Sequence, residues 1–467
     1  MNPPQFLSRE ETQAWEPDRT FPERGRFRER LVGRLKDAGL WTDFQVAGRR
    51  WAMGCVAVEI TQRCNLDCTL CYLSEHAEAV RDVPLEEIFR RIEAIRRHYG
   101  PFTDVQVTGG DPTLRNRGEL VQIVRRIRDL GMRPSLFTNG IRATRELLTE
   151  LTRNGLVDVA FHVDMTQERK GFGSEVELNR LRLKYIERAR GLPLSVIFNT
   201  TIFADNFAEI PDIVAFFRAH ADVVDMCSFQ LQAETGRGVL RKREEVITRD
   251  SVAAQISRGA GRRVNFGVPT VGHPECNQYA ICLEAGGNLY NLFEESGFFA
   301  AIFARTAGMM LDRRNKWRAL GTLLRAILAN PALWPGGLSW LARKSREMGI
   351  DVLRARGRVN KLSFFIHNFM DADQLDRGRC RTCVFMVAGA DGPISMCVFN
   401  ARRDAEILRP LPQVSGHGLW YPLPEPVPAS SPMGIPPPLP ISAQRPPKWI
   451  RGRTRKMALE NQKGLGL

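Results

Sequence analysis

"ITQRCNLDCTLCYLSE", residues Ile60–Glu75, sets Cys64, Cys68 and Cys71 in a C-x-x-x-C-x-x-C spacing just after the strand-like run "CVAVEIT" (Cys55–Thr61). Thiolates are soft ligands, and three on one short loop fix three corners of a metal or iron–sulfur centre. The usual zinc signature is a pair of C-x-x-C units, which this loop lacks. Three cysteines on a [4Fe–4S] cluster leave one iron open to a small molecule. On residues alone, a zinc knuckle or a set of redox thiols remains the alternative.

Outward from this loop, strands alternate with helices. "DVQVTGG" (Asp104–Gly110), "PSLFTNG" (Pro134–Gly140), "LVDVAFHVD" (Leu156–Asp164), "LPLSVIFNTT" (Leu192–Thr201) and "VVDMCSFQLQ" (Val223–Gln232) read as strands. "LEEIFRRIEAIRRHY" (Leu85–Tyr99) and "ELVQIVRRIRDLG" (Glu119–Gly131) carry apolar residues at helical spacing, and further helices are expected over 142–154, 175–190 and 207–220. Six such repeats imply an α/β fold with a parallel sheet. They are too few for an eight-stranded barrel, and an open, partial (β/α)6 barrel over residues 51–240 fits best. Residues 1–50 read as a helical lead-in or partly ordered arm. Residues 241–405 read as a C-terminal iron–sulfur extension with amphipathic helices, and 406–467 as a Pro-rich, basic, disordered tail.

The net charge of +15 and the small number of cysteines, 10 in 467 residues, set further bounds. The charge draws the chain to polyanions. The cysteines are too few for a disulfide scaffold, and they cluster, which points to metal or redox chemistry in a reducing compartment. No secretory signal or apolar run of about 18 residues is visible, so a cytoplasmic protein is expected. Nothing resembles an aromatic-rich RNA-reading motif, so nucleic acid is not an expected partner. Between 410 and 447 the chain carries 13 of its 28 prolines, followed by the basic stretch "KWIRGRTRKM" (Lys448–Met457).

"CNLDCTLC" followed by βα repeats resembles the radical S-adenosylmethionine (radical SAM) superfamily. The resemblance implies a [4Fe–4S] cluster on Cys64, Cys68 and Cys71 whose open iron chelates S-adenosylmethionine, and reductive cleavage to a 5′-deoxyadenosyl radical that abstracts hydrogen from an unactivated carbon. It implies a reductant such as flavodoxin or ferredoxin. "VTGGDPTL" matches the family's strand-2 glycine motif, with Asp111 where the family often has Glu. Gly109, Gly110, Asp111 and Pro112 are thereby assigned to the cofactor, together with Tyr72, Thr138 and Asn139 of "LFTNG", Asp164 of "FHVD", and Asn199. No catalytic acid, base or radical-quenching residue stands out.

A second cysteine group follows. Cys380 and Cys383 form a C-x-x-C, Cys397 lies beyond, and Cys276 or Cys282 supplies a fourth ligand for a second, auxiliary [4Fe–4S] cluster. A structural zinc site is the alternative. Cys55 and Cys227 lie in strand-like runs and are expected in the core. The segment "FFIHNFMDADQLDRGRCRTCVFMVAGADGPISMCVFNARRD" (Phe364–Asp404), with "CSFQLQAETGRG" (Cys227–Gly238), is similar to the tetraether lipid synthase-like branch and its bacterial relatives. That resemblance implies a lipid or other apolar chain as substrate, with carbon–carbon bond formation or related lipid modification. A peptide maturase or a methylase is the alternative. Trp317, Trp334 and Trp340, set among Arg313, Arg314, Lys316, Arg318, Arg325, Arg343 and Lys344, suit the headgroup boundary of an anionic bilayer, and peripheral membrane association is expected from them.

Overall fold

The computed structural model describes residues 4–18, 27–74, 76–236, 243–413, 416 and 418–423. Six strands appear where the hydrophobic pattern predicts them: β1 (Cys55–Thr61), β2 (Asp104–Gly109), β3 (Arg133–Thr138), β4 (Asp158–His162), β5 (Ser195–Ile202) and β6 (Val224–Leu231). Later come β7 (Asn277–Ala285), β8 (Asn288–Asn291), β9 (Asn360–Asn368), β10 (Phe385–Ala388) and β11 (Pro393–Ser395). They form one sheet in the order β11-β10-β1-β2-β3-β4-β5-β6-β9-β7-β8. From β10 to β9 every neighbouring pair is parallel. β11 and the β7–β8 hairpin attach antiparallel at the two edges.

Alternation along each strand sorts side chains between two faces. Val56, Val58 and Ile60 of β1 point outward to the helix Leu85–Tyr99, whose Ile88, Ile92, Ile95 and Tyr99 form its buried stripe. Each such side chain contributes roughly 1.5–3 kcal/mol of burial. Cys55, Ala57 and Glu59 of β1 point inward, in register with Phe385 and Val387 of β10 and with Gln106 and Thr108 of β2.

The partial barrel is therefore longer than the six expected strands. β9 and β10, both from beyond residue 240, extend the parallel run at its two ends. The expected division at residue 240 is not a boundary in space, because the extension shares the barrel's own sheet. Its two ends do not pair, so the barrel stays open.

The floor of the barrel is a charged network. Arg313 donates to Asp104 and Asp158, each at 2.7 Å, and Arg133 donates to Asp104 at 2.7 Å. Asp158 also accepts from Ser135 at 2.8 Å. This corrects the membrane assignment of Arg313: its guanidinium is spent on two buried carboxylates. Lys344 is buried on Glu294 and Glu347, at 3.0 and 2.8 Å, and Arg343 pairs with Glu294. Trp340 packs on Phe299 and donates to the Leu292 carbonyl. Trp317, Leu328, Leu338 and Leu353 do stay exposed, at 73, 65, 69 and 80%.

The N-terminal arm is fixed to the C-terminal extension. The amides of Leu7 and Arg377 donate to the carbonyls of Leu375 and Gln5, and Arg402 donates to the carbonyls of Gln13 and Trp15. The expected disordered tail also starts too early. Leu408 and Leu423 pack on Val80, and Leu411–Pro412 pairs with Leu419–Trp420. The remainder of that tail, from residue 424, lies outside the described residues.

Candidate functional site

The loop after β1 lies on an apolar bed. Cys64 is buried with Leu66, Leu73 and Ala77, and Cys68, Cys71 and Tyr72 pack against the same group. The Leu66 amide donates to Cys64 Sγ at 3.5 Å. The β2 loop closes over it. Gly110 N donates to the Thr61 carbonyl at 2.9 Å and Asp111 N to that of Arg63 at 2.8 Å. A Cβ on Gly109, whose φ is 134°, would collide with the Thr61 carbonyl oxygen, and one on Gly110 with that of Arg63. Both positions therefore require glycine. Tyr72 Oη donates to the Gly109 carbonyl at 2.6 Å, joining the two loops.

Asp111 is fully buried. One of its oxygens accepts from the Thr113 amide at 3.0 Å, and the other from Thr138 Oγ1 and the Asn139 amide, each at 2.8 Å. The Asp111 side chain, with the Thr138 hydroxyl, braces the ends of β2 and β3 from within. Pro112 opens the short turn Pro112–Leu114 that Asp111 caps. Asn139 reaches outward. Its Nδ2 donates to Asn65 Oδ1 at 2.6 Å and lies 3.8 Å from Cys64 Sγ.

Asp164 is also fully buried and braces the ends of β4 and β5. It accepts from the Thr166 amide at 3.0 Å and the Thr201 amide at 2.8 Å, and it meets His162 Nε2 at 2.6 Å. Burial raises its pKa, but His162, Thr166 and Thr201 together hold it down at about 2. Burial would push His162 down, and Asp164 more than offsets this, leaving the ring above the ordinary histidine value. The residue aimed into the barrel is thus His162, which the sequence reading passed over. Register places it beside Asn199, Ser228 and Phe365 on the inner face. Alternation within "FHVD" was the signal: His162 points inward when its neighbour Phe161 is core.

Of the two candidate fourth thiols, Cys276 stands beside the second cysteine group. Arg379 Nε donates to Cys276 Sγ at 3.2 Å. Burial pushes Cys276 up to about 11, with Arg379 opposing and Cys383 adding to the rise. Cys397 goes up to about 12 through burial and then its neighbour Cys383. Cys380 is raised by burial and then by Cys397, Cys383 and Cys276. These four thiols sense one another's charge. Cys282 stands apart, buried beside Asn291, with Arg262 and Lys344 as its charged neighbours. Cys55 and Cys227 are core residues.

The group lies against the inner face of β1, where Ala57 packs with Cys380 and Cys397 and with Leu7 of the N-terminal arm. Among the described residues no three His, Cys, Asp or Glu side chains close around a single ion. The donor set in each group is thiol, which suits iron–sulfur chemistry.

Fold and thiol loop are similar to those of the radical SAM enzymes. The sequence model of the Radical SAM superfamily matches residues 58–217, from β1 to the helix before β6. The chain is 26% identical over 391 residues to 7,8-dihydro-6-hydroxymethylpterin dimethyltransferase from Methanocaldococcus jannaschii, covering 75% of this chain and 77% of that protein. It is 28% identical over 163 residues to PqqA peptide cyclase from Bradyrhizobium diazoefficiens, covering 34% of this chain and 42% of the cyclase, less than half its length. Among solved structures, the FeFe-hydrogenase maturase HydG from Carboxydothermus hydrogenoformans aligns with 14% identity and a TM-score of 0.38, over 69% of this chain and 82% of that one. Among the described residues no helix is long and apolar enough to cross a membrane.

Proposed function

We propose that this radical SAM enzyme abstracts hydrogen from an unactivated carbon of an apolar, lipid-like chain. When bound, the cluster and S-adenosylmethionine supply a 5′-deoxyadenosyl radical. Cys64, Cys68 and Cys71 hold the cluster. The backbone at Gly109–Pro112, with Asn139 and Asn199, holds the cofactor, and Tyr72 fixes the glycine loop. Cys276, Cys380, Cys383 and Cys397 hold an auxiliary cluster.

The observation that carries the apolar substrate is the exposed face of the helices Lys316–Leu328 and Trp334–Arg354. Trp317, Leu320, Leu324 and Leu328 recur at helical spacing on the first, and Trp334, Leu338 and Leu341 are exposed on the second. Arg318 and Arg325 lie on the first helix, which has no acidic residue. Such a surface suits an anionic lipid interface, from which the substrate is drawn.

A second reading, methyl transfer to a pterin-like ring, is favoured by the match over 75% of this chain to the archaeal pterin dimethyltransferase. One experiment separates the two. The anaerobically reconstituted full chain is given dithionite and S-adenosylmethionine, with either vesicles of perdeuterated-acyl phosphatidylglycerol or a reduced pterin. Deuterium appearing in 5′-deoxyadenosine supports the lipid-chain reading. Cleavage stimulated only by the pterin, with its methylation, overturns it in favour of the second.

A further inference from the structure

Glu59 is the last inward-facing residue of β1 before the cysteine loop, and it is 6% exposed. It accepts from Arg403 Nη1 at 2.8 Å and from Gln62 Nε2 at 2.7 Å. Arg403 is 4% exposed and opens the helix Arg403–Ile407, which follows the helix Met396–Ala401 bearing Cys397. Its guanidinium touches two rings. The Phe399 ring, two residues from Cys397, lies 5.1 Å away, and the Tyr72 ring, next to Cys71, lies 4.7 Å away. Arg403 Nη2 also donates to Asn400 at 2.7 Å. One buried side chain therefore contacts the segment of each thiol group.

A buried ion pair is a weak source of stability, because desolvating two charges consumes most of the attraction. Its retention asks for another role. A cation beside a cluster favours the reduced, more negative state, and an anion disfavours it; net charge near the sulfurs is one of the terms that sets cluster potential.

We infer that Glu59 and Arg403 form a positioning pair that ties the second thiol group to the cofactor loop and sets the reduction potential of the cluster held by Cys64, Cys68 and Cys71. Paired, the two charges offset one another at the cluster, and loss of either one unmasks the other. Arg403 holds Tyr72 by its ring face, and Tyr72 holds the Gly109 carbonyl. Displacement of the helix bearing Cys397 thus reaches the cofactor loop through Arg403. The inference rests on the radical SAM reading of the first cysteine group.

The test uses the reconstituted full chain at pH 8. Midpoint potentials are followed on the cluster signal that changes when S-adenosylmethionine is added. Glu59→Gln leaves the arginine unpaired and is expected to raise the midpoint. Arg403→Met leaves the carboxylate and is expected to lower it. The double variant returns towards wild type, and Arg403→Lys, which keeps the charge, stays near it. A packing role alone would lower iron content in both single variants without opposite shifts. Midpoints that stay at the wild-type value in both single variants, or that move in the same direction, overturn the inference. Wild-type iron content and 5′-deoxyadenosine formation report separately on the radical reading. Normal cleavage with unshifted midpoints removes only the role of the pair, whereas no cleavage in wild type removes the reading beneath it.

Discussion

The His367 ring stands edge-on to Phe385, with centroids 4.7 Å apart and planes at 76°. His367 lies at the end of β9 and Phe385 at the start of β10, the two strands that terminate the parallel run. Side chains thus close a barrel whose backbone stays open. Phe365 adds a second edge-on contact to Phe385, at 6.0 Å. Removing the shared ring breaks both. Phe385→Ala is expected to lower unfolding free energy by about 3 kcal/mol, read from urea denaturation of the metal-free protein. A change within error would mean that the sheet edges are held elsewhere.

Arg313 reaches the barrel floor from the loop before the helix Lys316–Leu328 and satisfies two carboxylates there. Asp158 is 1% exposed, so a lost partner leaves a charge with no access to water. Arg313→Leu should destabilise by about 3 kcal/mol, the scale for breaking a buried pair. Differential scanning calorimetry reports it. If Arg313 served a membrane surface instead, the variant would lose vesicle binding and keep its melting temperature.

The His162–Asp164 pair carries a pH signature. The folded pKa of His162 lies above the unfolded value because Asp164 favours the charged ring. Its contribution is therefore full below about pH 6.5 and is lost as pH rises through the folded value. Asp164→Asn should move the ring's titration downward and flatten the stability profile above about pH 6.5. Histidine-labelled NMR and thermal melts measure the two. An unmoved ring titration would mean that Asp164 does not control His162.

Cys276 and Cys282 are six residues apart in sequence but belong to different surroundings. Cys276 faces Arg379, whereas Cys282 faces Asn291. After anaerobic reconstitution, Cys276→Ala should lower iron content by up to about four irons per chain, the content of one [4Fe–4S] cluster. Cys282→Ala should leave it unchanged. Iron loss in the second variant but not the first would exchange their places.

The hydrophobic period alone located β1 to β6 and the helices between them, because each strand and each helix buries a face that local spacing records. The helix Leu85–Tyr99 and the strand Cys55–Thr61 match the expected bounds residue for residue. The C-x-x-x-C-x-x-C loop and the glycines at 109 and 110 were equally legible, since close ligand spacing and glycine's freedom are local properties. β9 and β10 were not assigned. They join the sheet across more than 120 residues of chain, and no local period records which edge a strand will take.

The roles of charged side chains divide in the same way. The motif resemblance pointed to Asp111 and the end of a strand to Asp164, and only the packing shows both carboxylates bonded to neighbouring amides and hydroxyls. Sequence read Arg313 as surface charge, and only the tertiary structure puts Asp104 and Asp158 beside it. By itself the sequence determined the class of chemistry, through three thiols on one loop after a strand. The tertiary structure decided which thiol stands beside Arg379 and which charges are paired. The contacts of Arg379 with Cys276 and of Arg313 with Asp104 and Asp158 join residues more than a hundred positions apart, and burial and electrostatics at that range have no local signature.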